Sequence, residues 1–215
     1  MTPHSPNTSS SPDSSPRPDS RHRIVDAAID LFAQRGYHAS SMRDIAEGAG
    51  IKAASIYAHF GSKEALLRAI LAEYTDELAS LRVTEQRLQD IVATATTETI
   101  FVEGFKAIRE GLARNRTEKM VRMIYNEMFK NPIVAEFGID WLREGNLREF
   151  RRIFSAMQKH HLLKVIDLEF VSLLYNAVIN NYFQDRFVRK LCGRDVRALD
   201  EQTLDHLRLL AGLLS

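Results

Sequence analysis

The chain has 215 residues, 45% of them hydrophobic, which is enough to bury one ordinary core plus a small satellite domain without a metal or a disulfide for support. A formal net charge of +1 excludes a generally basic nucleic-acid coat, so any DNA contact must come from a local cluster. The single cysteine, Cys192, cannot pair within the chain; it reads as an incidental thiol that stays reduced in the cytosol, and a cytoplasmic protein is expected.

Residues 1–20 hold seven Ser and five of the six Pro, with almost nothing apolar after Met1. Such a segment lacks the material to offset ordering entropy and is expected to be a disordered leader without the apolar run of a secretory signal. Helical periodicity begins at Arg21, where Ile24, Ala28, Leu31 and Phe32 share one face while Arg23, Asp26, Asp30 and Gln34 look away. This helix should stop at Gly36, with Tyr37 as an apolar anchor. Ser40 and Ser41 then offer N-cap hydroxyls, and Asp44, three residues beyond Ser41, completes a capping box before Ile45, Ala46 and Ala49. Gly50 interrupts this second helix, and a third resumes over 53–60 with Ile56 and Phe60 one turn apart. Two short helices across a glycine turn make a helix-turn-helix.

Ser62 is placed to cap a fourth helix with Glu64 in its first turn and a stripe of Leu67, Ile70, Leu71, Tyr74, Leu78 and Leu81, which should link two domains. From Thr84 onward only helical periodicity appears, broken near Asn115, Asn131-Pro132, His160-His161 and Gly193, and about six helices are expected there. The most apolar stretch, Ile166 to Phe183, includes Asp167, Glu169, Ser172 and three asparagines, too many polar groups for a lipid-exposed span; no membrane association is expected. The expectation is an all-α protein: a disordered tail over 1–20, a three-helix helix-turn-helix head over 21–67, and a helical second domain over 68–215.

The run Ile24 to Leu67 carries Gly36-Tyr37, Ile45-Ala46, Ala49-Gly50-Ile51, Ser55-Ile56-Tyr57, His59-Phe60 and Ser62-Lys63-Glu64, and with them it strongly resembles the N-terminal domain of TetR-family regulators. The resemblance implies a DNA-binding head over 21–67 and a regulatory domain over 68–215 for effector binding and dimerisation. A helix entering a major groove must be slim at its leading end, and Ala53, Ala54, Ser55 and Ala58 supply that slimness. The resemblance implies that Tyr57, His59 and Lys63 grip phosphates, that Arg43 reaches a phosphate or a guanine edge, and that Ser41 meets a phosphate. Arg21, Arg23 and Lys52 are auxiliary phosphate candidates. Structural alternatives stand beside these roles: Tyr57 packing on the first helix, His59 capping a carbonyl, Arg43 pairing with Asp44 or Glu47. Lys52 occupies the cap of the third helix, where the family more often has Ser or Thr, so that cap should be weak.

One head covers about one half-site of DNA, so double-stranded operator DNA calls for a twofold dimer and a near-palindromic site. The resemblance implies a four-helix dimer bundle, here expected from helices near 133–158 and 168–189, whose wide apolar surfaces include Phe137, Trp141, Phe150 and Phe154 on one and Phe170, Leu173 and Tyr182 on the other. A small-molecule cavity is expected among the preceding helices, lined by Phe101, Phe105, Met120 and Met123 with Glu127 or Asn176 adding polarity. Such a cavity favours an apolar or aromatic effector. The helical-lever stripe Leu67, Ile70, Leu71 and Tyr74 should carry the effect to the head.

The rival classes are an enzyme, a ligand-independent DNA-binding protein, and an activator on the same fold. No nucleophile elbow, zinc-protease, phosphate-loop or paired-cysteine motif is present, so no catalytic residue, metal or cofactor is expected. The adjacent His160 and His161 point apart on a helix and read as a solvated helix end.

Overall fold

A computed structural model describes residues 20–164 and 167–215, and the described chain is all α-helical. The leader expected to be disordered lies outside the described residues apart from Ser20, as does Ile166 at the start of the most apolar stretch. No described helix is long and apolar enough to cross a membrane.

The first helix, α1 (Ser20–Arg35), buries Ile24, Val25, Ala28, Ile29, Phe32 and Ala33 along one stripe. It ends at Gly36, whose φ of +86° would strain an L side chain, and the Gly36 amide donates to the Phe32 carbonyl at 3.0 Å. Two short helices follow, α2 (Met42–Gly48) and α3 (Ala53–His59). They turn at Gly50 (φ +65°), where the Ile51 amide reaches back to the Ala46 carbonyl at 3.0 Å. Ile45, Ala46, Ile56 and Phe60 close on α1 as one core, with Ile51 partly buried at its edge. The linking helix α4 (Lys63–Ala79) starts on Ser62, whose hydroxyl accepts the Ala65 amide at 3.0 Å. Its Leu66, Leu67, Ile70, Leu71 and Tyr74 are all buried.

The rest of the chain comprises α5 (Glu85–Thr94), α6 (Thr97–Leu112), α7 (Asn115–Glu127), α8 (Pro132–Phe137), a π-helical stretch over Gly138–Gly145, α9 (Asn146–Lys159), α10 (Leu168–Leu191) and α11 (Arg197–Leu214). Each break read from the sequence falls at an element junction, and α9 ends with exposed His160 and a left-handed His161 (φ 59°). Among the described residues seven α-helices rather than six follow α4, since α5 and α6 are separated only by Ala95 and Thr96. A Thr96 cap, its hydroxyl accepting the Thr99 amide at 3.2 Å, starts α6 without glycine or proline.

The two helices expected to carry the dimer differ in how much apolar surface they leave exposed. Along 133–158 Ile139 is exposed, but Leu147, Phe150, Phe154 and Met157 of α9 are buried within the chain. Phe137 and Trp141 lie against Tyr74 of α4, with ring centroids 6.1 Å away in each case. The last two long helices are α10 and α11, and these carry exposed apolar side chains: Phe170, Leu173, Val188 and Leu191 on the first, Leu209 and Leu213 on the second. The width of an apolar surface counts neighbours but does not say whether they belong to the same chain.

Candidate functional site

The head presents α3 with Ile56 buried and every other residue of the helix, Ala53, Ala54, Ser55, Tyr57, Ala58 and His59, exposed. Tyr57 is 57% exposed, which sets aside packing on α1. Arg43 and Lys52 are exposed beside it, and neither an Arg43 ion pair nor a His59 cap occurs among the described residues. Lys52 is the N-cap of α3 and makes no side-chain cap hydrogen bond, as its chemistry predicts, since an ammonium has no acceptor for an amide.

Ser41 caps α2 reciprocally with Asp44. The Ser41 hydroxyl accepts the Asp44 amide (3.2 Å) and donates to the Asp44 carboxylate (2.7 Å), which also accepts the Ser41 amide (2.8 Å). These bonds, the hydroxyl's first and the amide's second, hold the Asp44 carboxyl below its usual range. Ser40 is not the cap; it is buried, and its hydroxyl donates to the Gly36 carbonyl at 2.9 Å.

Lys63 has a structural task that its sequence position did not reveal. Its ammonium donates to the Tyr37 and Ser40 carbonyls, each at 2.8 Å, and lies 4.3 Å from the Tyr37 ring centre. One of its three donors is left for another partner. Arg23 is likewise turned inward, onto the Ala49 carbonyl and the Ser20 hydroxyl, both at 3.1 Å. Arg21 reaches Glu73 at 3.4 Å and the Phe60 ring at 5.1 Å. The exposed polar set on and beside α3 is therefore Arg43, Lys52, Ser55, Tyr57 and His59, a surface with slim shoulders and a polar rim.

Charged and buried contacts join this head to α7. Arg116 at the start of α7 pairs with Asp26 of α1 (2.7 Å) and with Glu73 and Glu77 of α4, and Lys119 pairs with Asp30 of α1. Burial opposes the Arg116 charge, but the hydrogen bonds and charges of Asp26 and Glu73 outweigh it and hold the guanidinium protonated beyond its ordinary range. At the other end of α7, Glu127 is 3% exposed, and its Oε1 accepts the Tyr37 amide at 2.9 Å. A Cβ on Gly36 would lie 3.0 Å from that same oxygen, so the glycine also makes room for the carboxylate. Glu127 thus belongs to the head–body joint and corrects the expectation that it lines a cavity.

A cavity of about 510 Å³ lies between α4, α5, α6, α9 and α10, with Tyr74, Phe101, Trp141, Phe150, Phe154 and Tyr175 among its walls. Of the residues expected there, Phe101 is present. Phe105 packs edge-on against Tyr182 at 4.8 Å, Met120 and Met123 are fully buried core, and Asn176 is buried without lining the cavity. A Met and Phe stripe at helical spacing serves a solid core equally well, which is why composition misplaced Phe105, Met120 and Met123. The missed walls converge from helices distant in sequence, and Trp141 enters from the π-helical stretch, a geometry with no local signature in the residues. Tyr175 is anchored where it faces the cavity, its hydroxyl donating to the Phe101 carbonyl at 2.9 Å, and burial pushes its ionisation up. Among the described residues no group of three or more His, Cys, Asp or Glu is placed to hold a metal ion.

Residues 24–70, which span α1 to mid-α4, match the family described as "Bacterial regulatory proteins, tetR family". The transcriptional repressor KstR2 of Rhodococcus jostii (strain RHA1) is 37% identical over 142 residues, which are 64% of this chain and 62% of that protein. The transcriptional activator FasR of Mycolicibacterium smegmatis is 36% identical over 101 residues, 43% of this chain and 46% of its own length. The chain thus spans about three-fifths of the length of the first relative and about half of the second. Salmonella enterica GusR superimposes with a TM-score of 0.66 over 91% of this chain and 95% of that one at 24% identity, which bears on fold alone. A capped helix-turn-helix arrangement and a sequence match across it agree, and the head of the chain, residues 24–70, belongs to the TetR family of bacterial regulatory proteins.

Proposed function

We propose that this chain is a homodimeric repressor that binds a near-palindromic operator in double-stranded DNA through α3 and leaves it when a small, largely apolar molecule enters the body cavity. The observation that carries this reading is α3 itself: one buried residue, a small-residue shoulder, and Tyr57 held out in solvent. Such a helix can approach base edges while Tyr57, His59, Arg43, Lys52 and the remaining Lys63 donor meet phosphates. Ser41 takes part through the α2 N-terminus that it caps, since its hydroxyl is already engaged by Asp44.

The domains follow the same division: a head over 21–67 and a regulatory body over 68–215, with α10 and α11 as the dimer faces. Tyr74 and Leu78 of α4 form part of the cavity wall, and Lys63 begins the same helix roughly 17 Å away at 1.5 Å per residue. A ligand that presses on Tyr74 tilts the helix that positions the head, and a coupling of about 1 to 3 kcal/mol would change operator affinity roughly 5-fold to 150-fold. An activator is the second reading, favoured by the name of the FasR relative; the position of the operator relative to a promoter decides between them.

Selection of bound duplexes from a random pool tests the proposal. A palindromic consensus is expected, and Tyr57→Ala should lose affinity for it by about 1 to 3 kcal/mol with the thermal midpoint unchanged. A monomer that enriches no duplex would overturn it.

A further inference from the structure

We propose that the body cavity takes an amphipathic organic anion, its apolar part on Trp141 and its negative group between Arg82 and Arg87. The inference rests on the reading of this cavity as an effector site and adds the chemical class of the effector.

The cavity wall is mainly aromatic and aliphatic, but it is not uniformly so. Two arginines, Arg82 on the α4–α5 connection and Arg87 in the first turn of α5, border it, and both are exposed. Three carboxylates border it as well, and two of these are already neutralised. Glu149 is held by Arg152 at 2.7 Å, and Glu103 by Lys106 at 2.7 Å. The third, Asp90, accepts only a neutral amide, from Gln86 at 3.2 Å. Among the described residues neither Arg82 nor Arg87 has a carboxylate within 4 Å, so two cations stand against one free anion at the mouth.

The Arg82 guanidinium instead lies 5.4 Å from the Trp141 ring centre. A cation over a ring face is a modest attraction at a solvent-accessible site, and a carboxylate or phosphate offering paired oxygens is the stronger partner for a guanidinium. Exchange of one for the other frees the Trp141 face for the apolar body of the ligand. Arg152 keeps the rim in place: it bonds the Val83 carbonyl and Glu85, both at 2.7 Å, while holding Glu149. Behind the rim, Phe101, Phe150 and Phe154 continue the apolar wall, so the negative group stays at the mouth and the tail goes inward.

Trp141 is the chain's one tryptophan and therefore reports directly on occupancy. Its emission, together with calorimetry, would be followed as the full chain is titrated without DNA, using dodecanoate, 1-dodecanol and dodecylamine, and then 4-biphenylcarboxylate and 4-biphenylmethanol. In at least one series the anion should bind roughly tenfold or more tightly than its uncharged or cationic counterpart, and the double substitution Arg82→Gln, Arg87→Gln should remove that preference. Binding without preference for the anion in either series, binding of none of the five probes, or a preference that survives the double substitution would overturn the inference. Because no DNA is present, a failure here is separate from failure of the repressor reading, which operator release by a bound anion tests independently.

Discussion

At the scale of single residues, the head depends on a few polar side chains whose partners are now visible. Asp44 completes the α2 capping box, and its carboxyl is held below the usual range by the Ser41 hydroxyl and then by the Ser41 amide. A folded-state value below the unfolded one makes the ionised form the stabilising one. That stability is present above the ordinary carboxylate range and fades as pH falls through the depressed folded value. Asp44→Asn should therefore flatten the acid limb of the thermal midpoint against pH relative to the unmodified chain, measured by circular dichroism from pH 6 down to pH 2. Parallel acid limbs would remove Asp44 from the account. The capping box was legible in the sequence because it is a contact between residues three apart. The engagement of Lys63 with two carbonyls and the burial of Glu127 on the Tyr37 amide were not, because those partners lie 23 to 26 and 90 residues away.

At the scale of elements, α3 is the helix with the least local support. It is two turns long, starts on Lys52 without a side-chain cap, and buries only Ile56. Lys52→Ser should add a hydroxyl acceptor for an α3 amide and stabilise the free chain by up to about 1 kcal/mol. If Lys52 also meets a phosphate, the same substitution should lower the slope of log affinity against log salt by about one unit. Thermal unfolding and operator titrations over a salt series read these two effects separately, and a variant no more stable than the parent would refute the cap argument. The joint between α1, α4 and α7 is the opposite case: Arg116 engages Asp26, Glu73 and Glu77 at once, and the Thr117 hydroxyl donates to Glu77 at 2.7 Å. The head helices with their caps at Ser41 and Ser62, and the main breaks of the body, followed from periodicity and cap chemistry; the body caps at Thr84, Thr96, Asn131 and Asp167 did not. The π-helical stretch did not, since its residues satisfy an ordinary helical pattern.

At the scale of the whole molecule, the apolar surface left over is as informative as the core. Phe170 and Leu173 of α10 and Leu209 and Leu213 of α11 are exposed, whereas the broad apolar face of α9 is buried inside the chain. Burying such a face against its twin offsets the loss of freedom on association only if no charge is buried unpaired with it. Leu173→Glu with Leu213→Glu should give a folded monomer in sedimentation equilibrium and lower operator affinity by well over tenfold, because two half-sites would no longer be held together. A double variant that remains dimeric would place the interface elsewhere.

The sequence by itself left the exposure of Tyr57 open between DNA contact and packing on α1, but it determined the helical class, the order and ends of the head helices, the capping of α2 and α4 and the missing cap of α3. All of these rest on neighbours three or four residues apart, where a side chain's partner is set by the helix alone. Only the tertiary structure decided which aromatic residues enclose a cavity and which fill the core, that Glu127 serves the head–body joint, and that α11 rather than α9 shares the exposed apolar surface with α10. Those outcomes depend on which helix faces meet. An apolar stripe expresses only the need to be covered and carries no record of what covers it.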